Sequence, residues 1–518
     1  MEAAAPLRKA TKREWIGLAV IALPCLLYAM DLTVLNLAVP HLTADLRPSA
    51  SQLLWIVDIY GFMVAGALVT MGTLGDRIGR RKLLLIGAAA FGLASIVAAF
   101  STSAPMLIAT RALLGLAGAT LAPSTLSLIR SMFEDPDERR FAIGIWISSF
   151  SAGGAIGPLA GGLLLEHFWW GSVFLANVPV MVLLLILGPL LLPEYKDPDA
   201  GSIDLPSAVL SLGAVLALIY GLKRIAEDGL AWLPVAIMLA GLGIGAIFLG
   251  RQRRLADPFI DLDLFRSAAF RVALAINVLG FFFLFGIFLF VAQYLQLVAG
   301  FSPLVAGLYT LPSALAFIAG SMVVPALAGR LRVRHIMAAG LVVAALGFLI
   351  MTQITASSSV AIVVVGTVVF SLGFTPVVAL TTDLVVSAAP PERAGSAAAL
   401  SETSIELGGA LGIAVLGSVA TAIYRVQMVG TVPAAMPGDA AEAARATLGG
   451  AVMAAQQVPA LAEPMLGLAR AAFTQGMQLN AWLAVVGLLA TAALALAFLR
   501  EPQAAAEATP EGKPQPGA

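Results

Sequence analysis

Charge is scarce in this chain. Only 12% of its 518 residues are Asp, Glu, Lys or Arg, and 60% are apolar. A soluble domain has about 25% charged and about 45–50% apolar residues. That excess cannot be hidden in a soluble core, so lipid must be the solvent for most of the chain. Basic and acidic residues number 30 each, so no global charge invites nucleic acid. Cysteine is reduced to Cys25, which excludes an intramolecular disulfide and a thiol metal site. Histidine is reduced to His41, His167 and His335. They are scattered at the ends of apolar runs, with no HExxH and no GxxxxGK[ST] phosphate loop. A membrane-embedded enzyme or an ATPase therefore finds no support, and neither a metal nor a cofactor is expected. No acid at all occurs between Asp263 and Asp383.

What is present is a series of long apolar runs. A helix needs ~20 mostly apolar residues to cross ~30 Å of hydrocarbon. Fourteen runs qualify, near 16–42, 50–71, 83–101, 105–130, 141–165, 172–192, 204–222, 231–250, 270–298, 303–328, 335–353, 358–387, 395–424 and 478–499. They lack the period-two alternation of a barrel strand, so the expected fold class is an all-α integral membrane protein. The first run is too long for a signal peptide and has no small-residue cleavage site, so it is expected to be retained. Lys and Arg collect in "RKATKR", "DRIGRRK", "DERR", "RQRR", "GRLRVR" and "PPERAG", which places those loops and both termini in the cytoplasm. "LKRIAEDG" alone breaks the pattern. Residues 425–475 are expected to be an outer-side segment, folded as an amphipathic helical hairpin. Residues 500–518 are rich in Pro, Ala and Glu and are expected to be disordered.

Several acids sit inside these runs, where a carboxylate costs ~2.5–3.5 kcal/mol or more. Asp31, in "MDLTVLNLAVP", lies in the outer half of span one. Arg111 lies ~9 Å below the outer edge of span four, at similar depth, so the two could pair and offset part of their burial cost. The alternative is a snorkelling arginine. Asp58 lies ~12 Å into span two. Trp55 precedes it by three residues and shares its face, and Tyr28 stands in the same relation to Asp31. A carboxylate beside an aromatic ring suits a lipophilic cation, although Trp55 could equally be an interfacial belt residue. Glu402 and Glu406 are one turn apart on span thirteen. Their mutual repulsion favours a bound proton on one of them, and polar contact at the cytoplasmic mouth is the plainer alternative.

Three strings carry a resemblance. "GTLGDRIGRRKLLL" (72–85) resembles the loop signature of the major facilitator superfamily, through Gly72, Asp76, Arg77, Gly79 and Arg80. "AGRLRVRHI" after span ten looks like a degraded copy, as a fold of two related halves would show. "LIATRALLGLAGATLAPS" resembles that family's intramembrane-arginine motif, which there is linked to proton coupling. "GGAIGPLAGG" resembles the span-five antiporter motif of its drug exporters, with Gly153, Gly157 and Gly161 on one face and Pro158 able to bend the span. "MDLTVLNLAVP", "LLWIVDIYGF" and "SETSIELGGALG", with fourteen spans, place the resemblance in the fourteen-helix drug:proton antiporters, the exporters of quaternary ammonium compounds and other drugs.

The resemblance implies a cytoplasmic segment at 1–14, a six-helix bundle at 15–192 and two additional helices within 193–250. A cytoplasmic loop at 251–269 and a second six-helix bundle at 270–499 would follow, ending in the tail at 500–518. It implies a bacterial plasma-membrane antiporter, driven by the proton gradient without ATP, expected to act as a monomer. Asp31, Arg111, Glu402 and Glu406 would handle the proton. Asp58, Trp55, Tyr28, Glu402 and Glu406 would meet the cargo. The expected partners are small lipophilic cations, protons and the lipid bilayer. A symporter for another small organic solute keeps the same fold and remains the alternative, as does a channel or receptor with less support.

Overall fold

Lipid offers backbone N–H and C=O groups no partner, so each apolar run must satisfy them within itself as a helix. The computed structural model describes residues 9–499, apart from 197–203, 229, 256, 257, 259, 261, 329, 388–393, 434, 435 and 458. The tail expected at 500–518 lies outside the described residues. Among the described residues the regular structure is entirely helical. Among these residues thirteen stretches are long and apolar enough to cross a membrane. A fourteenth is bent by 42° between Gly154 and Ile156. Pro158 accounts for the bend, because it cannot donate to the carbonyl of Gly154 four residues earlier.

The first bundle holds α1 (Lys12–Leu46), α2 (Ala50–Ile78), α3 (Arg80–Ala99), the broken pair α4 (Ala104–Gly118) and α5 (Leu121–Met132), α6 (Pro136–His167), and α7 (Ser172–Leu175) with α8 (Asn177–Leu191). Two further helices follow, α9 (Leu205–Asp228) and α10 (Trp232–Gln252). The second bundle holds α11 (Ala268–Gln293) with a π-helical turn to Val298, α12 (Pro303–Ala328), α13 (Val333–Met351), α14 (Ala361–Ser387), α15 (Ala394–Met428) and α18 (Pro459–Phe498). The small helices α16 (Gly438–Ala446) and α17 (Leu448–Gln457) lie between the last two.

Local chemistry sets the helix ends. Thr11 and Glu14 form a capping box at the start of α1, and Ser49 and Gln52 do so for α2. Gly79 ends α2 with φ +111, where any side chain would be strained and would also meet Glu194. Asp204, just before α9, pairs with Arg251 at the end of α10, at 2.9 Å. Burial works against its charge, but bonds from Ser207 and Arg251 hold its carboxyl below the ordinary 3.8. The α9–α10 pair is thus pinned at one end.

The segment at 425–475 departs from expectation in one respect. α16 and α17 do form a helical pair, but "EPMLGLARAAF" is not part of it. Those residues open α18, which begins at Pro459 rather than near 478. Met465, Ala469, Ala472, Phe473 and Met477 form its buried face. Glu463, Pro464 and Arg470 break the apolar run there and disguise the helix. Arg470 donates to the Leu297 carbonyl at 3.1 Å.

The bundles meet along α2 and α15, and along α6 and α12. α9 wedges against both α2 and α15. Its Ile219 packs with Phe62 of α2 and with Ala410 and Ala414 of α15.

Candidate functional site

Glycine positions the helices that carry the site. A Cβ on Gly153 would overlap the Leu26 carbonyl, one on Gly157 the Thr33 hydroxyl, and one on Gly161 the Val34 side chain. This face therefore lets α6 lie backbone to backbone on α1, fixing the turn of α1 that bears Asp31. The neighbouring face of α6 meets the second bundle, Pro158 against Gly307 and Gly162 against Leu304. α15 repeats the device. Its Gly408 and Gly412 press on the backbone of α11 at Val278 and Phe282. Asn277 of α11 donates to Ser401 and Ser404, at 3.2 and 2.9 Å, which fixes the rotation of α15.

The structure brings Asp31 and Arg111 together. Arg111 Nη1 donates to Asp31 Oδ2, and both side chains are almost wholly buried. The guanidinium does more than pair. Its Nε donates to the Ile56 carbonyl at 3.1 Å, its Nη2 reaches the Val57 carbonyl at 3.5 Å, and its Cζ lies 4.7 Å from the Tyr60 ring centre. One arginine therefore links α1, α2 and α4.

Tyr28 serves a different acid from the one its spacing suggests. Its hydroxyl donates across the two bundles to Glu406 Oε1 at 2.5 Å. Its ring stands 5.9 Å from that of Tyr60 and 5.8 Å from that of Phe150. A continuous series of contacts thus runs from Asp31 through Arg111, Tyr60 and Tyr28 to Glu406. Glu406 is half-buried and Glu402 exposed, although both stand well inside α15. Among the described residues, no basic side chain forms an ion pair with either glutamate.

Asp58 is not free to face cargo in this structure. Lys223 of α9 places its Nζ 2.9 Å from Oδ1 and 2.7 Å from Oδ2, and both side chains are fully buried. The same Nζ lies 4.0 Å from the Trp55 ring centre. Trp55 and Asp58 do form one site, and a lysine occupies it. This also accounts for "LKRIAEDG", the segment that breaks the loop-charge pattern, since its lysine turns into the protein.

Where α2 turns into α3, Asp76 of α2 pairs with Arg80 of α3 at 2.5 Å, and Arg77 is exposed; the string expected to be a loop is helical on both sides of Gly79. Gly72 has open space around it, with only Pro123 at 3.9 Å from a Cβ there. Glu194, just beyond α8, accepts from the Arg81 backbone N–H at 3.1 Å and pairs with its side chain at 3.5 Å. The degraded copy falls between α12 and α13, with Gly329 outside the described residues.

Three members of these assemblies escape a reading of the sequence: Lys223, Tyr60 and Glu194. Only Lys223 leaves a local signal, as the misplaced positive charge near the end of a span.

Comparison with known proteins matches residues 21–413 to the Major Facilitator Superfamily. The multidrug efflux pump LfrA of Mycolicibacterium smegmatis is 46% identical, over 94% of this chain and 97% of its own length. The methyl viologen resistance protein SmvA of Salmonella typhimurium is 36% identical, over 89% of this chain and 93% of its own. Among solved structures, a bacterial homolog of the human lysosomal transporter Spinster superposes with a TM-score of 0.63 at 16% identity, covering 94% of this chain and 97% of that one. That likeness speaks to the fold.

Proposed function

The chain belongs to the major facilitator superfamily, and we propose that within it the protein exports lipophilic cationic drugs, quaternary ammonium antiseptics and dyes across the bacterial plasma membrane in exchange for protons. It is a transporter, and the likeness to multidrug efflux pumps supports drug efflux as its task. The cationic cargo and the proton are the finer part of the reading. One observation carries them. Four acids lie within the spans around the bundle interface, and the structure supplies two cations, Arg111 and Lys223, for Asp31 and Asp58. Among the described residues Glu402 and Glu406 have no basic partner, which suits them to take a proton or a cargo cation. Such a site exchanges one for the other. Methyl viologen, in the name of one relative, carries two separated positive charges, a distribution that two acids one turn apart can meet.

In this cycle Asp31 and Arg111 form the coupling element. A proton on Asp31 weakens its hold on Arg111, and the arginine's bonds to the α2 backbone transmit the change to the helix that packs on α15. The proton thereby alters which arrangement of the bundles is lower in free energy.

The test is purified protein in proteoliposomes, with ethidium as cargo and an imposed pH gradient as the sole energy source. Uphill ethidium movement that collapses with a protonophore is the expected result. Movement indifferent to the gradient would overturn the exchange. Gradient-driven movement of a neutral or anionic solute, with none of ethidium, would favour the alternative cargo.

A further inference from the structure

We propose that Lys223 is a tethered cation that holds the Asp58–Trp55 site in place of cargo, so that α9 decides which cations the site admits. The inference rests on the cation-export reading above and adds a specificity-determining residue to it. The geometry is that of a bound ligand. A compact ammonium sits within 3 Å of both carboxylate oxygens, at 2.9 and 2.7 Å, and 4.0 Å from an indole ring centre. Those are the groups a quaternary ammonium ion needs, a counter-ion and an aromatic face. Stability is a weak account of the pair, because a buried ion pair gives little over apolar side chains of the same volume. Apolar contacts already seat α9: Ile219 packs on Phe62, Ala410 and Ala414, and Leu212 fills the space over Gly66.

The tether sits where it can matter. Lys223 lies one turn beyond Ile219, on the α9 face wedged between α2 of one bundle and α15 of the other. A cargo cation gains Asp58 only when Lys223 withdraws, and Lys223 withdraws only when α9 shifts against those two helices. Cargo entry and the spacing of the bundles thereby compete for the same helix. A cation too weak to displace the lysine is confined to Glu402 and Glu406.

The probe is tetraphenylphosphonium, a lipophilic monocation, binding to the purified full-length chain in nanodiscs. Lys223→Met keeps the unbranched side chain to the position of Cε and removes the charged group. It should bind the probe about tenfold more tightly than the unmodified protein, the scale of one close charge interaction, and should release it more slowly in transport. Asp58→Asn leaves the lysine unpaired beside Trp55 and should bind most weakly of all. Asp58→Asn/Lys223→Met is neutral and should bind about tenfold more tightly than Asp58→Asn alone. This second comparison holds even if Lys223→Met alone does not fold. Equal affinity within both comparisons, in a protein that exports the probe, would make Lys223 a structural partner only and leave cation export standing. Absence of binding and export in all four proteins would overturn both.

Discussion

Arg111 makes contacts that no other side chain can combine. Its planar fork reaches Asp31, the carbonyls of Ile56 and Val57, and the face of Tyr60. A lysine carries the same charge but cannot span these directions at once. Arg111→Lys should therefore leave the chain inserted and lose most gradient-driven antiport, read as proton movement on adding cargo to loaded proteoliposomes. Asp31→Asn keeps the shape and should fail in the same assay. A normal antiport rate in either would remove the pair from the mechanism. Glu406 offers a second test at this scale. Glu406→Gln removes the group that takes up and releases the proton, while its amide oxygen can still accept from Tyr28. Proton release on adding a dication to weakly buffered detergent solution should fall, and fall more than with a monocation. Unchanged release with both ligands would leave Glu402 and Glu406 as polar packing. The approach of Asp31 to Arg111 could be read from the sequence, since helices rising from opposite ends place both at one depth. The Lys223–Asp58 pair could not, because 165 residues separate its members and nothing on α2 names the partner. Tyr60 is hidden for a related reason. An aromatic ring in a span resembles any other until an arginine is found over its face.

Glycines divide sharply by what a methyl group would meet. Gly157 and Gly161 face α1 with no room for a Cβ, whereas Gly154, between them and Gly153, has nothing within 4 Å. Gly157→Ala should cost about 1–3 kcal/mol through overpacking, lower the melting temperature in detergent and slow efflux. Gly154→Ala should be neutral or gain up to ~1 kcal/mol from helix propensity. Equal effects at the two positions would show that the stripe does not set the α1–α6 distance. The same contrast holds between Gly79, at the turn from α2 to α3, and Gly72, inside α2. Gly79→Ala should be damaging, from its φ of +111 and its contact with Glu194, and Gly72→Ala should be tolerated. The elements themselves could largely be read in advance, because crossing lipid demands a length and a composition that few other constraints imitate. The start of α18 could not. Met465, Ala469 and Phe473 bury one face of its early turns, while Glu463 is exposed and Arg470 bonds the Leu297 carbonyl, so the apolar run begins late.

The bundles are joined at mid-depth and at the end remote from the N-terminus. Tyr28 bonds Glu406, Gln296 donates to the Leu37 carbonyl at 3.1 Å, and the Leu304 N–H reaches Glu166 at 3.4 Å. Leu54 of α2 also fills the space beside Gly417 of α15. α16 and α17 add to this closure, with Tyr424 holding the Ala444 carbonyl at 2.9 Å and α17 lying against α1. Cargo leaving by this end is expected to pass where α17 now lies against α1. A Cβ on Gly449 of α17 would stand 3.1 Å from the Cβ of Thr43 on α1, shorter than the usual ~3.5–4.5 Å of a disulfide, so a small separation of the two helices brings the pair into range. A Thr43→Cys/Gly449→Cys chain should therefore cross-link on mild oxidation, and Cys25, being buried, leaves little competing thiol chemistry. Oxidation should stop ethidium export in proteoliposomes while leaving ethidium binding in detergent intact, since Glu402 and Glu406 lie away from the link. A reductant should restore export. Each single variant should have the same rate before and after oxidation. Export that continues in fully cross-linked protein would mean that the remote end need not open between α1 and α17, and that the path for cargo lies elsewhere around the α16–α17 pair.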